Sequence, residues 1–418
     1  MTSERRLTTA EAAARLGVKP ATLYAYVSRG LLSRERAPDG RTSTFDPAEI
    51  DRLASPGRPR RGRRPVSELV MPSALTAIAD GLPWYRGLPV PDLAATRSFE
   101  EVATWLWTGR FPDQAPSWRA GGAALAAGRR AQAALPDAAL PLERIRVIAA
   151  ALAAGDELRL ELHPAAVTAA GRALIAGLVD CLPRQGPAAA QQGPAPSDHR
   201  PAAQQGGAIA ARLWAGLSSL DPGPELVGTL EAALVLLADH ELAASTVAAR
   251  VAASVRADPY AVASAGLATV SGSLHGGASL GIEALLAEID RPDRAASVVG
   301  SKLRRGERLR GFGHRLYPDG DPRAGVLLDR LRTAAAGSPR LAVVEALLAA
   351  AARRGLPEPN VDLALAALAH VTAMTRGAAE AIFAVARTAG WIAHALEEYD
   401  RNTPVRPRAV YIGPRPGS

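Results

Sequence analysis

The stretch TLEAALVLLADHELAASTVAARVAAS, Thr229–Ser254, decides the fold class. Its alanines and leucines run on without a glycine, a proline or a strand-like alternation, so the spacing predicts one long buried helix. A single polar cluster interrupts it, Asp239-His240-Glu241. Polar groups in an apolar helix cost free energy unless something pairs them, which marks the cluster as a candidate for chemistry.

The same pattern recurs along the chain. SFEEVATWLWTG (Ser98–Gly109) opens with a capping box, Ser98 with Glu101, and ends on a glycine. RLAVVEALLAAAARRGL (Arg340–Leu356) is amphipathic, and VDLALAALAHVTAM (Val361–Met374) with GAAEAIFAVARTAGWIAHALEEYD (Gly377–Asp400) predicts a closing helix pair. Hydrophobic residues make up 48% of the 418, aromatics only 4%. An all-α body follows, running from residue 67 to 418 and crossed by a low-complexity loop at 183–207.

The lone cysteine, Cys181, excludes an intrachain disulfide and a multi-cysteine metal cluster. No apolar run reaches membrane length and the N-terminus is charged from the start, so a cytoplasmic protein is expected. Net charge is +8, and residues 1–66 hold 14 Lys/Arg against 7 Asp/Glu. Nearly all the basic surplus therefore lies in the N-terminal segment.

That segment divides into a polar unit at 1–54 and the linker SPGRPRRGRRPV, Ser55–Val66, too rich in Pro and Gly to hold a helix. In the unit, GVKPATLYAYVSRGLL (Gly17–Leu32) supplies a turn and a helix opening on Pro20. A basic wing around Asp39-Gly40 and a short helix from Asp46 follow. The order resembles the winged helix-turn-helix of mercury-resistance-regulator and excisionase-type proteins. DNA contacts are then expected from Lys19, Tyr24, Tyr26 and Arg29 on or near the recognition helix, and from Arg34, Arg36 and Arg41 on the wing.

Of seven histidines, three stand in unusual company. His240 lies in the polar cluster above. His275 lies in SGSLHGGASLG, whose glycines let backbone approach a ligand, and His314 lies in RLRGFGHRLYPDGDPRA, which has neither helical nor strand period. His163 and His199 are left to loops, His370 to packing and His394 to a helical surface position. Asp362, after the Pro359-Asn360 break, is either an N-cap or a functional acid.

WYRGLPVPDLA, SFEEVATWLWTGRFP, ADHELAAST, GSLHGGA, GFGHRLYPDGDPRA, PNVDLAL, FAVARTAGWIAH and RPRAVYIG occur in this order. Together they resemble citrate synthase, over roughly residues 67–415. The resemblance implies a large helical domain with a smaller helical one. It implies condensation of acetyl-CoA with oxaloacetate, with no cofactor or metal beyond the co-substrate. Asp362 would take a methyl proton, His275 would donate to the thioester oxygen, and His314 would polarise the keto group. His240, Arg323, Arg387 and, across a homodimer interface, Arg406 would hold the dicarboxylate. The physics agrees: a thioester α-proton needs a base and a preorganised oxyanion donor, and arginine forks suit carboxylates.

Ala243 and Ser279 stand where the family commonly has asparagine, and Pro318 stands where it often has a basic residue. These departures bear on substrate preference and turnover. The alternatives are 2-methylcitrate formation from propionyl-CoA, and a DNA-binding regulator that senses such metabolites without turnover.

Overall fold

The protein is described by a computed structural model covering residues 6–16, 18, 20–28, 32–36, 42–47, 49–50, 70–185, 207–409 and 413. The linker at 55–66, nearly all of the low-complexity loop, and Lys19, Arg29 and Arg41 fall outside the described residues. Two compact units divide at Met71 and Pro72.

In the first unit the helices Thr9–Leu16 and Pro20–Ser28 pack with a small antiparallel sheet of Leu7–Thr8, Ser43–Phe45 and Glu35–Arg36. Ala12, Leu23, Leu32, Phe45 and Ile50 form its core. Helical backbone follows, with Ile50 N bonded to Asp46 O at 3.1 Å. Tyr26 is half-buried and packs against this core; Tyr24, Arg34 and Arg36 are exposed.

Among the described residues, the regular structure of the second unit is helical apart from one three-stranded antiparallel hairpin sheet, Thr76–Ala79, Leu82–Tyr85 and Leu88–Pro89. The capping box at Ser98 forms as expected: Ser98 Oγ accepts from Glu101 N (3.2 Å) and Glu101 Oε2 accepts from Ser98 N (2.8 Å). At the centre runs the helix Ala378–Arg401, buried around its whole circumference for most of its length. His394 on it is fully buried, not at the surface its helical position suggests, because helices pack on every side of this element.

The opening stretch is not one helix. It forms Pro224–Leu237 and Ala244–Ser254, with a break between them. Two long-range contacts make the break. The hydroxyl of Tyr85 accepts from Asp239 N (2.9 Å) and lies 2.7 Å from Asp239 O, serving the freed backbone. Gly390 of the central helix presses against it, its N–H donating to Ala238 O at 2.9 Å. A Cβ at Gly390 would meet Ala238 O and Asp239 Oδ1 at 2.5 Å, so only glycine permits this approach. Glu241 then turns the chain through a left-handed conformation (φ 55°).

Candidate active site

The break holds His240 with its Nε2 2.8 Å from the hydroxyl of Tyr317. Tyr317 belongs to RLRGFGHRLYPDGDPRA. That loop is laced to the segment before Asp362: Gly313 N donates to Glu358 O (2.7 Å), and Asn360 N donates to Gly311 O (2.9 Å). Gly311 (φ 90°) packs so closely on Ile282 and Leu363 that a side chain there would collide. The loop therefore abandons helix to lie flat against two helices while its side chains point elsewhere.

Asp321 ties the loop to the next helices. Its carboxylate takes Arg323 through Nε (3.0 Å) and Nη2 (2.9 Å), and also accepts Arg323 N (3.1 Å) and Val361 N (3.0 Å). Burial pushes its carboxyl up, but the Arg323 guanidinium wins and holds it below the usual carboxylate range. Arg323, buried, is thus fixed as a fork beside the Tyr317 ring, 5.4 Å from its centroid.

Asn360 is the N-cap of the helix Val361–Val371, accepting from Asp362 N (3.1 Å) and Leu363 N (3.4 Å). The capping alternative for Asp362 is thereby excluded. Its carboxyl has no hydrogen-bond or ion-pair partner among the described residues. Although the residue keeps some exposure, the surrounding protein pushes this carboxyl up to about 6; Arg323 opposes the shift only in part.

His240 and His314 stand edge to face with ring centroids 5.5 Å apart, and Tyr317 leans on His314 at 4.9 Å. Burial first, then the Arg323 charge, lowers the proton affinity of both histidines, that of His240 well below its usual value. His314 Nδ1 accepts from Leu316 N at 3.2 Å, which places its proton on Nε2. His275 has its Nε2 2.8 Å from Ser245 Oγ and its ring edge-on to Phe383 at 5.5 Å. Burial, then the Arg387 charge, pushes its pKa down to about 4, so it is neutral at pH 7.

Arg387 links the two histidine groups. Its guanidinium lies 4.7 Å over the Phe383 ring and its Nε donates to Leu237 O (2.8 Å). It forms no ion pair among the described residues, although it is buried. Its charge bears on His240, His275 and Asp362. A guanidinium buried without a carboxylate has the chemistry to pair with an anion.

Arg406 is not brought to this cluster. It is exposed on the segment after the central helix, where Val405 N donates to Ser254 Oγ (3.0 Å). Ser254 ends the helix whose beginning adjoins His240, about 15 Å away by helical rise. Ala243 takes the N-cap position of that helix with no side-chain bond, a loss of about 1 kcal/mol against a capping residue. Ser279 is buried and donates to Gly276 O (3.1 Å), closing the His275 turn on itself; Pro318 is exposed. Tyr317, Asp321, Ser245 and Phe383 were not singled out from sequence. Asp321 precedes Pro322 in a helix-start pattern that was available locally.

The family model described as citrate synthase, C-terminal domain, matches residues 67–408. The chain belongs to the citrate synthase family. A helix-turn-helix domain model also matches residues 6–56. Citrate synthase 2 of Bacillus subtilis (strain 168) is 31% identical over 361 residues, covering 82% of this chain and 93% of that protein. The 2-methylcitrate synthase of Mycobacterium tuberculosis (strain ATCC 35801 / TMC 107 / Erdman) is 31% identical over 349 residues, covering 79% and 84%. The crystal structure of citrate synthase from Thermotoga maritima MSB8 superposes with a TM-score of 0.64 at 25% identity, covering 83% of this chain and 94% of that one. This citrate synthase family member is accordingly an acyltransferase, and its relatives divide between the citrate and 2-methylcitrate activities. Among the described residues no helix is long and apolar enough to cross a membrane.

Proposed function

We propose that the enzyme condenses acetyl-CoA with oxaloacetate and water to give citrate and CoA, in the cytoplasm. The observation that carries this reading is an unpartnered Asp362 carboxyl raised to about 6 in the company of two neutral histidines. Asp362 removes a methyl proton from the thioester. His275, held at Nε2 by Ser245, donates from Nδ1 to the oxygen that becomes negative. His314 donates from Nε2 to the keto oxygen of oxaloacetate as the enol carbon attacks it. Water then cleaves the citryl thioester and CoA leaves as the thiol. Arg323, Arg387 and His240 hold the two carboxylates, and Arg406 of a second copy completes the clamp in a homodimer. The residues so arranged call for no cofactor beyond the co-substrate.

A thiol-release assay tests the reading: free CoA appears from acetyl-CoA only with oxaloacetate present, and Asp362→Ala abolishes it. Release unaffected by Asp362→Ala overturns it. One methylene is worth ~1–3 kcal/mol in a pocket, so propionyl-CoA should turn over about 10–200-fold less efficiently. The reverse preference would make the product 2-methylcitrate.

A second reading concerns the N-terminal unit. Its exposed Tyr24, Arg34 and Arg36, together with the basic surplus of residues 1–66, favour contact with DNA phosphates by the helix Pro20–Ser28 and the strand pair behind it. A mobility shift that weakens steeply between 50 and 200 mM salt, and weakens further in Arg34→Ala/Arg36→Ala, is about what phosphate contacts require. Salt-insensitive binding or none dismisses it. A ligand-dependent shift in a protein without CoA release would make the chain a sensor instead of an enzyme.

A further inference from the structure

We propose that Tyr317 is a positioning residue that fixes the tautomer of His240, placing that ring's proton on Nδ1 so that Nδ1–H faces the keto acid. The inference rests on the oxaloacetate-binding role given to His240 above.

The Tyr317 hydroxyl lies 2.8 Å from His240 Nε2, and the side chain is buried, 1% exposed. Burial pushes its phenol up to about 12, so it remains an O–H group at any pH the enzyme meets. A phenol is a better donor than acceptor, and the bare nitrogen of a neutral imidazole is a strong acceptor. Imidazolium is disfavoured by burial and by the charges of Arg323 and Arg387, with His314 adding to them. One proton remains on the ring, and an Nε2 occupied as an acceptor leaves it to Nδ1. No partner for Nδ1 is present among the described residues. Tyr317 is itself locked: its ring lies 4.9 Å from that of His314, and Arg323, forked onto Asp321, lies beside it. The loop therefore orients His314 and Arg323 directly and His240 through one hydroxyl.

Tyr317→Phe removes the hydroxyl and keeps the ring. Losing one neutral hydrogen bond should raise KM for oxaloacetate roughly 3–10-fold. We expect kcat within about threefold of the wild type and KM for acetyl-CoA unchanged, since the bond lost serves only the keto acid. The second readout needs no turnover. In protein labelled with 15N-histidine, with His240 assigned by its loss in His240→Gln, Nε2 should resonate as an unprotonated nitrogen. In Tyr317→Phe it should move toward the protonated position. A wild-type Nε2 that is protonated overturns the proposal, as does an unchanged oxaloacetate KM in Tyr317→Phe. Equal losses with both substrates, together with a lowered melting temperature, would mean the tyrosine only packs. Tyr317→Leu supplies that comparison by removing the ring as well. Absence of CoA release by the wild type would sink the functional reading instead, while the spectrum still decides the tautomer.

Discussion

Two clusters of buried ionisable groups lie along the central helix, about two turns apart, around Arg387 and around His394. In the second, each ionisable group has a side-chain partner, although Asp239 Oδ1 and Glu398 Oε2 make no hydrogen bond among the described residues. Arg250 donates through Nε to Glu398 (2.6 Å) and through Nη1 to Glu397 (2.7 Å) and to His394 Nδ1 (2.7 Å). Because Nδ1 accepts, His394 carries its proton on Nε2, directed at Asp239 Oδ2 (3.3 Å). In the first cluster the valences stay open: Arg387 has no carboxylate and Asp362 has no partner among the described residues. A closed network specifies how helices meet, whereas an open one keeps its free energy for a ligand. Neighbouring residues of one motif divide between them, Asp239 to the closed cluster and His240 to the open one.

The largest expected effect lies on the open side. Asp362→Ala should lower kcat by about 10⁴-fold, the upper range for a general base, without loss of stability, as single-turnover CoA release and denaturant unfolding will show. On the closed side the order inverts. Arg250→Ala strands two glutamates and should cost about 3–5 kcal/mol of stability by denaturant midpoint, with kcat in the folded enzyme nearly kept. An active-site collapse in Arg250→Ala would blur the distinction between the clusters. His275→Ala, which removes one oxyanion donor, should lower kcat by about 10²–10³-fold with the unfolding midpoint held.

The sequence exposed the two kinds of site unequally. His275, His314 and Asp362 sit beside glycines or a Pro-Asn break, and local irregularity made them legible. The break at Asp239 carries no such mark, since alanine and leucine run through it on both sides. What ends that helix is Tyr85, some 150 residues earlier, and Gly390, some 150 later. His394 was misplaced for a related reason: periodicity on one helix cannot report that its polar face is buried too. Tyr317 escaped because its role depends on meeting His240, a contact between distant segments.

The smallest effect separates function from stability at a single atom. Burial raises the Asp362 pKa to about 6 in the folded chain, while the unfolded carboxyl keeps its usual value near 3.8. Between those values the folded state binds the extra proton, so this group's contribution to stability falls as pH rises from about 4 to 6 and stays lost above. Ionisation at pH 7 therefore costs the fold up to about 2–3 kcal/mol. Asp362→Asn, which cannot ionise, should recover part of that cost at pH 7 and very little at pH 4, measured by denaturant midpoints at both. Catalysis runs the other way: kcat/KM of the wild type should fall as pH drops through about 6, because protonation removes the base. A stabilised Asp362→Asn at pH 7 together with an acid limb near 6 would mean that the same desolvation both strains the fold and strengthens the base. An Asp362→Asn variant equally stable at both pH values would place the acid limb on another group and move Asp362 to the closed side of the comparison.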